Sequence, residues 1–536
     1  MVRTEAGTIP IEVKSRSCGA RGPYAGEVAQ VAAYCLLVED SMGVAVPYGL
    51  LQLADREIRV PFTPERRAKV LALLAKMVAA GQCEDIPRQR GKQGNDAGRA
   101  ERSRLVVVTE SAPREGVGKL IRNRAEENMM SEGLNDAEKI VFTLCKRSFL
   151  RLWSYANPQG KNSSKELCDV LVVCPPDVII FSVKEIGLKE SDRPDVEMTR
   201  WLKRAVEESA NQIYGAERHV RSSANVVCAD GTPGMELPKP PDLRVHRVAI
   251  AAGSRGKVPL PLGDFGKGFV HVFDEMSTLI LLSELNSVTD FVEYLTAKEA
   301  FCSSMKYLSQ VREEDLLTIY LHGGRKFPDD PPDVLSIGDE LWDGFIARPE
   351  VKAKKEADQI SYVWDRLIDQ ITSDVLNDNM EPGSSPSNTE RALRVMARED
   401  RFSRRVLGEA FKEFIDESVQ HPLARMLCSP SGVVYVFLAH PRDARRDIRQ
   451  MELQNRCFVA RGLHPQATTV VGIATEQYSK EGHSLDLALH HQPEWREEHQ
   501  EMVKKMQESL GYFVNSRQTK QSVDEYPNTE GVPASE

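Results

Sequence analysis

The sequence predicts an α/β fold in which mixed sheets are flanked by helices. Two apolar stretches, VLVV at 170–173 and VIIF at 178–181, are typical of strands buried on both faces. Amphipathic helical patterns lie on either side of them, over 137–155 and 201–220. Strand and helix patterns also alternate near the amino-terminal end. Such alternation is typical of sheets that helices cover.

Composition narrows the class of protein. The chain has 536 residues, enough for two to four domains, and 41% are hydrophobic. Its net charge of −9 excludes an overall basic field, so a nucleic-acid surface would need local lysines and arginines. Ten cysteines without a C-x-x-C pair predict reduced thiols in the cytoplasm. No apolar run reaches membrane-spanning length, and we expect no membrane partner.

The first candidate site lies near the amino terminus. Glu12 and Lys14 are two residues apart on a predicted strand, so they project from the same face. A carboxylate and an ammonium so placed can hold a divalent cation and polarise a phosphate. Gln30 and Tyr34 are four residues apart in a predicted helix and share its face. A solvated strand face and a packed helix face are the alternative interpretations.

Residues 9–83 resemble the RecB-like CRISPR-associated exonucleases of the PD-(D/E)XK nuclease superfamily. The resemblance rests on the E-x-K strand, on the Q-x-x-x-Y helix within QVAAYCLLVED, and on the segment VPYGLLQLADREIRVPFTPERRAKVLALLAKM. It implies a restriction-endonuclease-like fold and a Mg²⁺- or Mn²⁺-dependent deoxyribonuclease. It also implies two kinds of partner: DNA, as single strands or duplex ends, and other CRISPR-associated proteins.

Two parts of the family pattern are absent. The family carries a metal-binding aspartate on the strand before E-x-K, and none of the eleven residues before Glu12 is Asp or His. The family also holds an iron–sulfur cluster with clustered cysteines, whereas the stretch after Cys83 contains no cysteine before Cys145. We therefore expect a module that is truncated at its start and lacks the cluster.

A second candidate site lies within 129–235. Asp169 stands in ELCDVLVV, and the next strand closes with Ser182-Val183-Lys184, which is the same layout with serine at the acid position. Gln212 follows on a helix, as Gln30 does in the first set. The region more loosely resembles restriction-endonuclease-like proteins, some of which carry S-x-K. A buried ion pair of Asp169 and Lys184 is the alternative interpretation.

Without an acid at position 182, this second site needs another carboxylate to hold a cation. In the similar restriction enzymes that acid comes from a following helix. The candidates here are Glu197, Glu207, Glu208 and Glu166.

Patterning along the chain predicts six segments. Apolar strands are also predicted at 244–253, 268–274 and 277–285. The segments are 1–83, a truncated RecB-like exonuclease core; 84–128, a linker; 129–345, a second restriction-endonuclease-like α/β domain; 346–390, a helical segment and linker; 391–513, a carboxyl-terminal α/β region; and 514–536, a disordered tail.

We expect a metal-dependent DNA exonuclease that acts in prokaryotic defence or DNA repair. The catalytic residues would be Glu12, Lys14, Gln30, Tyr34, Asp169 and Lys184, and the metal ligands Glu12, Asp169 and Glu197. One alternative is a catalytically decayed nuclease-fold scaffold or fusion that binds nucleic acid or protein without cleaving. Another is an enzyme of a different class with its site in 236–513.

Overall fold

The computed structural model divides the chain into two compact units, Met1–Glu110 and Ser111–Glu536. Of the first unit, it describes residues 2–4, 7–13, 28, 31–32, 34–35, 39, 46–53, 56–64 and 66–67. Of the second unit, it describes residues 135–160, 166–189, 191–304, 307–309, 312–329, 334–336, 341–377, 386–477, 484–514 and 523–527. The predicted linker 84–128 lies outside the described residues.

The first unit contains a small mixed sheet. Its strands are β1 (Val2–Thr4), β2 (Gly7–Ile9), β3 (Ile11–Val13), β4 (Tyr48–Gln52) and β5 (Glu57–Pro61). β3 and β4 are parallel, β4 and β5 antiparallel, and β1 pairs with β2 separately. The described residues between β3 and β4 include helical Val31 and Cys35, which suits a parallel crossover. Gly49 of β4 passes so close to Val31 that a Cβ would overlap its side chain.

The second unit combines two larger sheets with helices. Its helices are α1 (Asp136–Phe149), α2 (Pro194–Leu202), α3 (Glu208–Ser222), α4 (Glu275–Glu284), α5 (Val288–Ser304), α6 (Glu313–His322), α7 (Leu341–Ile346), α8 (Pro349–Ala357), α9 (Ser361–Leu376), α10 (Pro386–Ala397), α11 (Arg401–Ser418), α12 (Arg446–Leu463) and α13 (Glu497–Leu510). Its strands are β6 (Ser154–Ala156), β7 (Val170–Cys174), β8 (Asp177–Glu185), β9 (Asn225–Val227), β10 (Pro233–Glu236), β11 (Arg244–Ala252), β12 (Gly263–Asp264), β13 (Phe269–Phe273), β14 (Tyr307–Ser309), β15 (Val334–Ser336), β16 (Leu423–Cys428), β17 (Val434–His440), β18 (Thr469–Glu476) and β19 (Leu485–His491). The predicted α/β class, with mixed sheets flanked by helices, is confirmed.

The larger sheet has the strand order β12-β13-β11-β8-β7-β6. β6, β7 and β8 form an antiparallel meander, and β8, β11 and β13 are parallel. α2 and α3, joined by a π-helical turn, make the crossover from β8 to β11. The carboxyl ends of these three parallel strands therefore lie at one edge of the sheet, where β8 ends at Glu185.

Both faces of this sheet are buried, as the continuous apolar strands predict. Ile179 and Phe181 pack in the cluster that includes α1, whereas Val178 and Ile180 pack in the cluster that includes α3. Burying a side chain of this size contributes about 1.5–3 kcal/mol. The strongly apolar pattern of β8 therefore fixes the centre of the second unit.

Two predicted elements differ from the structure. The helix predicted to reach about 155 ends at Phe149, because Leu150 adopts a φ of 67° and the chain turns into β6. The strand predicted at 277–285 is instead helix α4. Asp274 caps that helix, its carboxylate accepting a hydrogen bond from Ser277 N–H at 2.7 Å, and Leu281 packs inward.

The smaller sheet has the order β16-β17-β18-β19, and α12 crosses from β17 to the parallel β18. Beside it, α9 and α11 are joined by buried ion pairs from Arg401 and Arg404 to Asp365, at 2.8 and 2.7 Å. Gly408 of α11 lies against the Ile360 carbonyl. Within the described part of the chain, no helix is long and apolar enough to cross a bilayer.

Part of the segment predicted to be disordered is packed instead. Arg405 donates hydrogen bonds to the carbonyls of Asp524 and Glu525, and Tyr526 lies partly buried against the largest hydrophobic cluster. The prediction of disorder does not hold for 523–527. Its polar composition gave no sign that basic residues from three other parts of the fold, Arg325, Lys354 and Arg405, would bind it.

Candidate functional site

Candidate residues of the second unit meet where β8 ends. Asp169 directly precedes β7, and Ser182 and Lys184 lie near the carboxyl end of β8. Alternation puts Asp169 on the face of Leu171, and Ser182 and Lys184 on the face of Ile180. Leu171 and Ile180 pack in the same cluster against α3. The three polar residues therefore share one face at one end of the sheet.

Asp169 is buried and held in place by the neighbouring strand. Its Oδ2 accepts a hydrogen bond from the backbone N–H of Val183, and its carbonyl accepts one from Asn157 N–H at 3.1 Å. The Oδ1 atom of Asn157 is buried and has no partner in the described structure. The carboxylate is thereby fixed between Ser182 and Lys184.

Two further carboxylates influence Asp169 electrostatically. The pKa of the surface residue Glu166 is raised to about 7. Partial burial contributes most, followed by the charge of Asp169 and by a hydrogen bond between the two carboxyl groups. Burial also raises the pKa of Glu138; the Asn135 N–H opposes this shift, Asp169 adds to it, and Lys184 reduces it. Glu138 occupies the first turn of α1, where it forms a capping box with Asn135. Glu138, Glu166 and Lys184 thus lie close enough to Asp169 for their charges to affect one another.

Lys184 is half-buried, and its ammonium forms no hydrogen bond or ion pair with any residue that the structure describes. It is near enough to lower the pKa of both Glu138 and Glu166. The alternative interpretation, a close ion pair between Lys184 and Asp169, is therefore not the arrangement found. A half-buried ammonium among acids is available to an anionic ligand.

The acid position of the second layout holds a fully buried serine. The Ser182 hydroxyl donates a hydrogen bond to Oε1 of Gln212 on α3, at 3.0 Å. The structure thus joins Gln212 of α3 to Ser182 of β8. It also leaves Ser182 without a charge to offer a cation.

Three helix glutamates were proposed to replace that acid. Glu197 forms an ion pair with Arg200 at 2.8 Å, one helical turn away. Glu207 and Glu208 are exposed. No contact among the described residues links these three side chains with Asp169. The role of Glu197 as a metal ligand stays a prediction, and its ion pair with Arg200 is the contact that the structure shows.

Few residues of the first candidate site are described. The backbone of Glu12 lies in β3, paired with Leu51 of β4, and Tyr34 is a half-buried helical residue. Lys14 and Gln30 lie outside the described residues, as does the side chain of Glu12. The predicted grouping of these four side chains stays a prediction.

The second site offers oxygen donors that suit a hard divalent cation. Glu166 and Asp169 share a hydrogen bond, which means that two carboxylates compete for one small space. Even so, within the described residues no group of three or more His, Cys, Asp or Glu side chains is arranged to hold a metal ion. For an iron–sulfur cluster, the first unit offers among its described residues only Cys35, which is buried.

A cavity of about 2040 Å³ opens along the edge strand β6. Ser154, Tyr155 and Ala156 line it, and the next residue, Asn157, contacts Asp169. Its basic residues are Lys146, Arg147, Arg151, Lys239, Arg391 and Arg394. The side chains of Arg147, Lys239 and Arg391 make no hydrogen bond or ion pair within the described structure. These cations lie outside every motif recognised in the sequence.

Comparison with protein-family models, with curated proteins and with solved structures gives no match for this chain.

Glu138 is the residue of this site that the sequence analysis missed. The run Asn135-Asp136-Ala137-Glu138 carries a capping-box signature, which fixes where α1 begins. That signature could have placed Glu138 in the first helical turn. It could not have shown that this turn lies near Asp169, because the approach is set by packing of α1 on the sheet.

Proposed function

We propose that the chain is a divalent-metal-dependent deoxyribonuclease whose working site contains Asp169, Glu166 and Lys184. The observation that carries this proposal is the buried Asp169 carboxylate, fixed by Val183 N–H and hydrogen-bonded to Glu166, at the end of β8 where the Lys184 ammonium has no partner among the described residues. Neighbouring carboxyl groups that disfavour each other's ionisation are typical of functional sites. We further propose that this half of the chain has a restriction-endonuclease-like core.

The roles of the protein groups follow from their contacts. Asp169, fixed by Val183, and Glu166 would hold Mg²⁺ or Mn²⁺ in place of the proton that Glu166 retains near neutral pH. The bound ion supplies a Lewis acid for phosphodiester hydrolysis. Lys184 would bind a phosphate oxygen and neutralise charge that develops there. Gln212, oriented by Ser182, would position water or substrate.

The cavity beside β6 supports a polyanionic substrate. Arg147, Lys239 and Arg391, which have no partner among the described residues, would contact phosphates, and binding would weaken steeply with salt. We propose DNA as that substrate and the prokaryotic cytoplasm as the setting, in defence or repair. The resemblance of 9–83 to RecB-like exonucleases supports the same reaction class, with Glu12 and Lys14 as a separate centre.

Cleavage assays with matched variants test this proposal. The purified chain is incubated with labelled single- and double-stranded DNA and Mg²⁺ or Mn²⁺. Lys184→Ala should lower cleavage by about 100-fold or more, whereas Lys189→Ala, an exposed lysine five residues on, should not. Lys14→Ala reports separately on the first unit. Absence of cation-dependent cleavage by the unaltered chain would overturn the proposal.

The Ser182–Gln212 hydrogen bond favours a second candidate function. The uncharged Ser182–Gln212 pair supplies no carboxylate at the acid position, and a fold that lacks this metal ligand can still bind nucleic acid without cleaving it. That candidate requires salt-sensitive DNA binding that Lys184→Ala leaves intact and that Arg147→Glu or Arg391→Glu abolishes, without any cleavage.

A further inference from the structure

Residues 523–527, Val-Asp-Glu-Tyr-Pro, contact the second unit through their main chain. Nη2 of Arg405 donates to the carbonyl of Asp524 at 2.6 Å, and its Nη1 donates to the carbonyl of Glu525 at 3.1 Å. Arg405 is only 4% exposed and is itself held by Asp358 at 3.2 Å. A buried, fixed guanidinium that binds two successive carbonyls recognises a peptide backbone rather than one side chain.

The Glu525 side chain is bound by cations from two other elements. Its Oε1 lies 3.0 Å from Nη2 of Arg325, which follows α6, and 3.6 Å from Nζ of Lys354 on α8. Asp358 holds Lys354 at 2.6 Å. Asp290 and Asp400 hold Arg325. Both cations are therefore positioned independently of Glu525, and the site selects a negative side chain at this place.

Tyr526 supplies an apolar anchor. Its ring packs against the main hydrophobic cluster, with the Lys354 ammonium 6.0 Å from the ring centre. Burial, together with Glu525, raises the pKa of its hydroxyl to about 12. Backbone, acid and aromatic are thus each recognised by a separate group, as in sites that bind short peptide segments.

We propose that Arg325, Lys354, Arg405 and the surface under Tyr526 form a peptide-binding site for short acidic–aromatic segments. The chain's own residues 523–527 occupy it as a displaceable ligand. The segment is small, with Val523 and Asp524 exposed, and polar sequence flanks it on both sides. A free peptide with the same Asp-Glu-Tyr order would compete for the site. This proposal is independent of the nuclease proposal.

Peptide binding to the full-length chain tests the site. The probe is a fluorescent peptide of residues 519–531, and the protein carries Glu525→Ala and Tyr526→Ala to empty the site. Anisotropy should show saturable binding to this variant, and binding about tenfold or more weaker to the unaltered chain, because its tethered segment competes. A peptide bearing the same two substitutions should not bind.

Further variants assign the contacts. Adding Arg405→Ala or Lys354→Ala to the emptied protein should abolish binding, whereas Lys352→Ala, an exposed lysine on the same helix, should not. A folded, emptied protein that fails to bind the probe would overturn the proposal. Should that variant not fold, Glu525→Gln alone must bind the probe more tightly than the unaltered chain does. Equal affinity would then count against the site.

Discussion

The Asp169 carboxylate accepts a hydrogen bond from the backbone N–H of Val183, the residue that separates Ser182 from Lys184. This bond joins the residue before β7 to the carboxyl end of β8. It sets the direction of the carboxylate independently of any side-chain partner. The backbone of one strand therefore positions the acid that the other strand contributes.

Asp169→Asn should preserve the fold and remove the function. The amide oxygen can still accept from Val183, so the free energy of unfolding should change by no more than about 1 kcal/mol. Asp169→Leu leaves that N–H unpaired and should cost about 1–3 kcal/mol. Urea unfolding measures both. Mn²⁺ should raise the melting temperature of the unaltered chain and leave that of Asp169→Asn unchanged. An equal rise in both would contradict the assignment.

Glu166→Gln should change how stability depends on pH. The pKa of Glu166 is about 7 in the folded chain against an ordinary 4.5, so the folded state binds more protons between these values. The free energy of unfolding therefore falls as pH rises between these two pKa values. Above pH 7 the destabilisation by ionised Glu166 is complete and stays constant. The variant should melt above the unaltered chain at pH 8 and level with it at pH 4. Glu185→Gln, an exposed neighbour, is the control, and parallel pH curves for Glu166→Gln would contradict the coupling.

Two glycines in helices should respond in opposite ways to alanine. A Cβ on Gly408 would lie 2.5 Å from the Ile360 carbonyl oxygen, so Gly408→Ala should destabilise by about 1–3 kcal/mol. Gly344 lies in α7 with nothing within 4 Å of such a Cβ, and its replacement should stabilise by up to about 1 kcal/mol. Chemical denaturation distinguishes them, and a neutral Gly408→Ala would show that α9 and α11 can separate freely.

Lys298→Met should be among the most damaging single substitutions. Lys298 is fully buried and bonded to Glu313, whose other oxygen accepts from Tyr294 OH at 2.6 Å. Removing the ammonium leaves a buried carboxylate unpaired, which costs about 3–5 kcal/mol. The double variant Lys298→Met/Glu313→Leu should recover most of this loss in equilibrium unfolding. Simple additivity of the two substitutions would argue against direct coupling.

The sequence predicted four of the six strands of the larger sheet because the apolar runs of those four are unbroken. β7, β8, β11 and β13 each lie where such a run occurs. It also predicted that Asp169 lies at one strand and that Ser182 and Lys184 lie at the end of the next strand. The apolar run at 277–285 was misread as a strand, because run length alone does not separate a buried helix from a buried strand.

What the sequence could not give was the set of approaches between distant elements. The ion pair between Glu197 and Arg200 on the same helix was not foreseen when Glu197 was proposed as a metal ligand. Glu138 was passed over, although packing of α1 brings its first turn near Asp169. The segment 523–527 was predicted to be disordered from its polar composition. The side chains that bind it come from three other parts of the fold, which its own sequence could not reveal.

By itself, the sequence determined which stretches must be buried, which faces polar residues share, and where helices such as α1 begin. These properties depend on neighbours within a few residues, through alternation, helical periodicity and capping. Only the tertiary structure decided that the charges of Glu138, Glu166, Asp169 and Lys184 affect one another, and that Arg325, Lys354 and Arg405 bind residues 523–527. Charge interactions act through space over a few ångströms, and the distances that govern them exist only once the sheets and helices have packed.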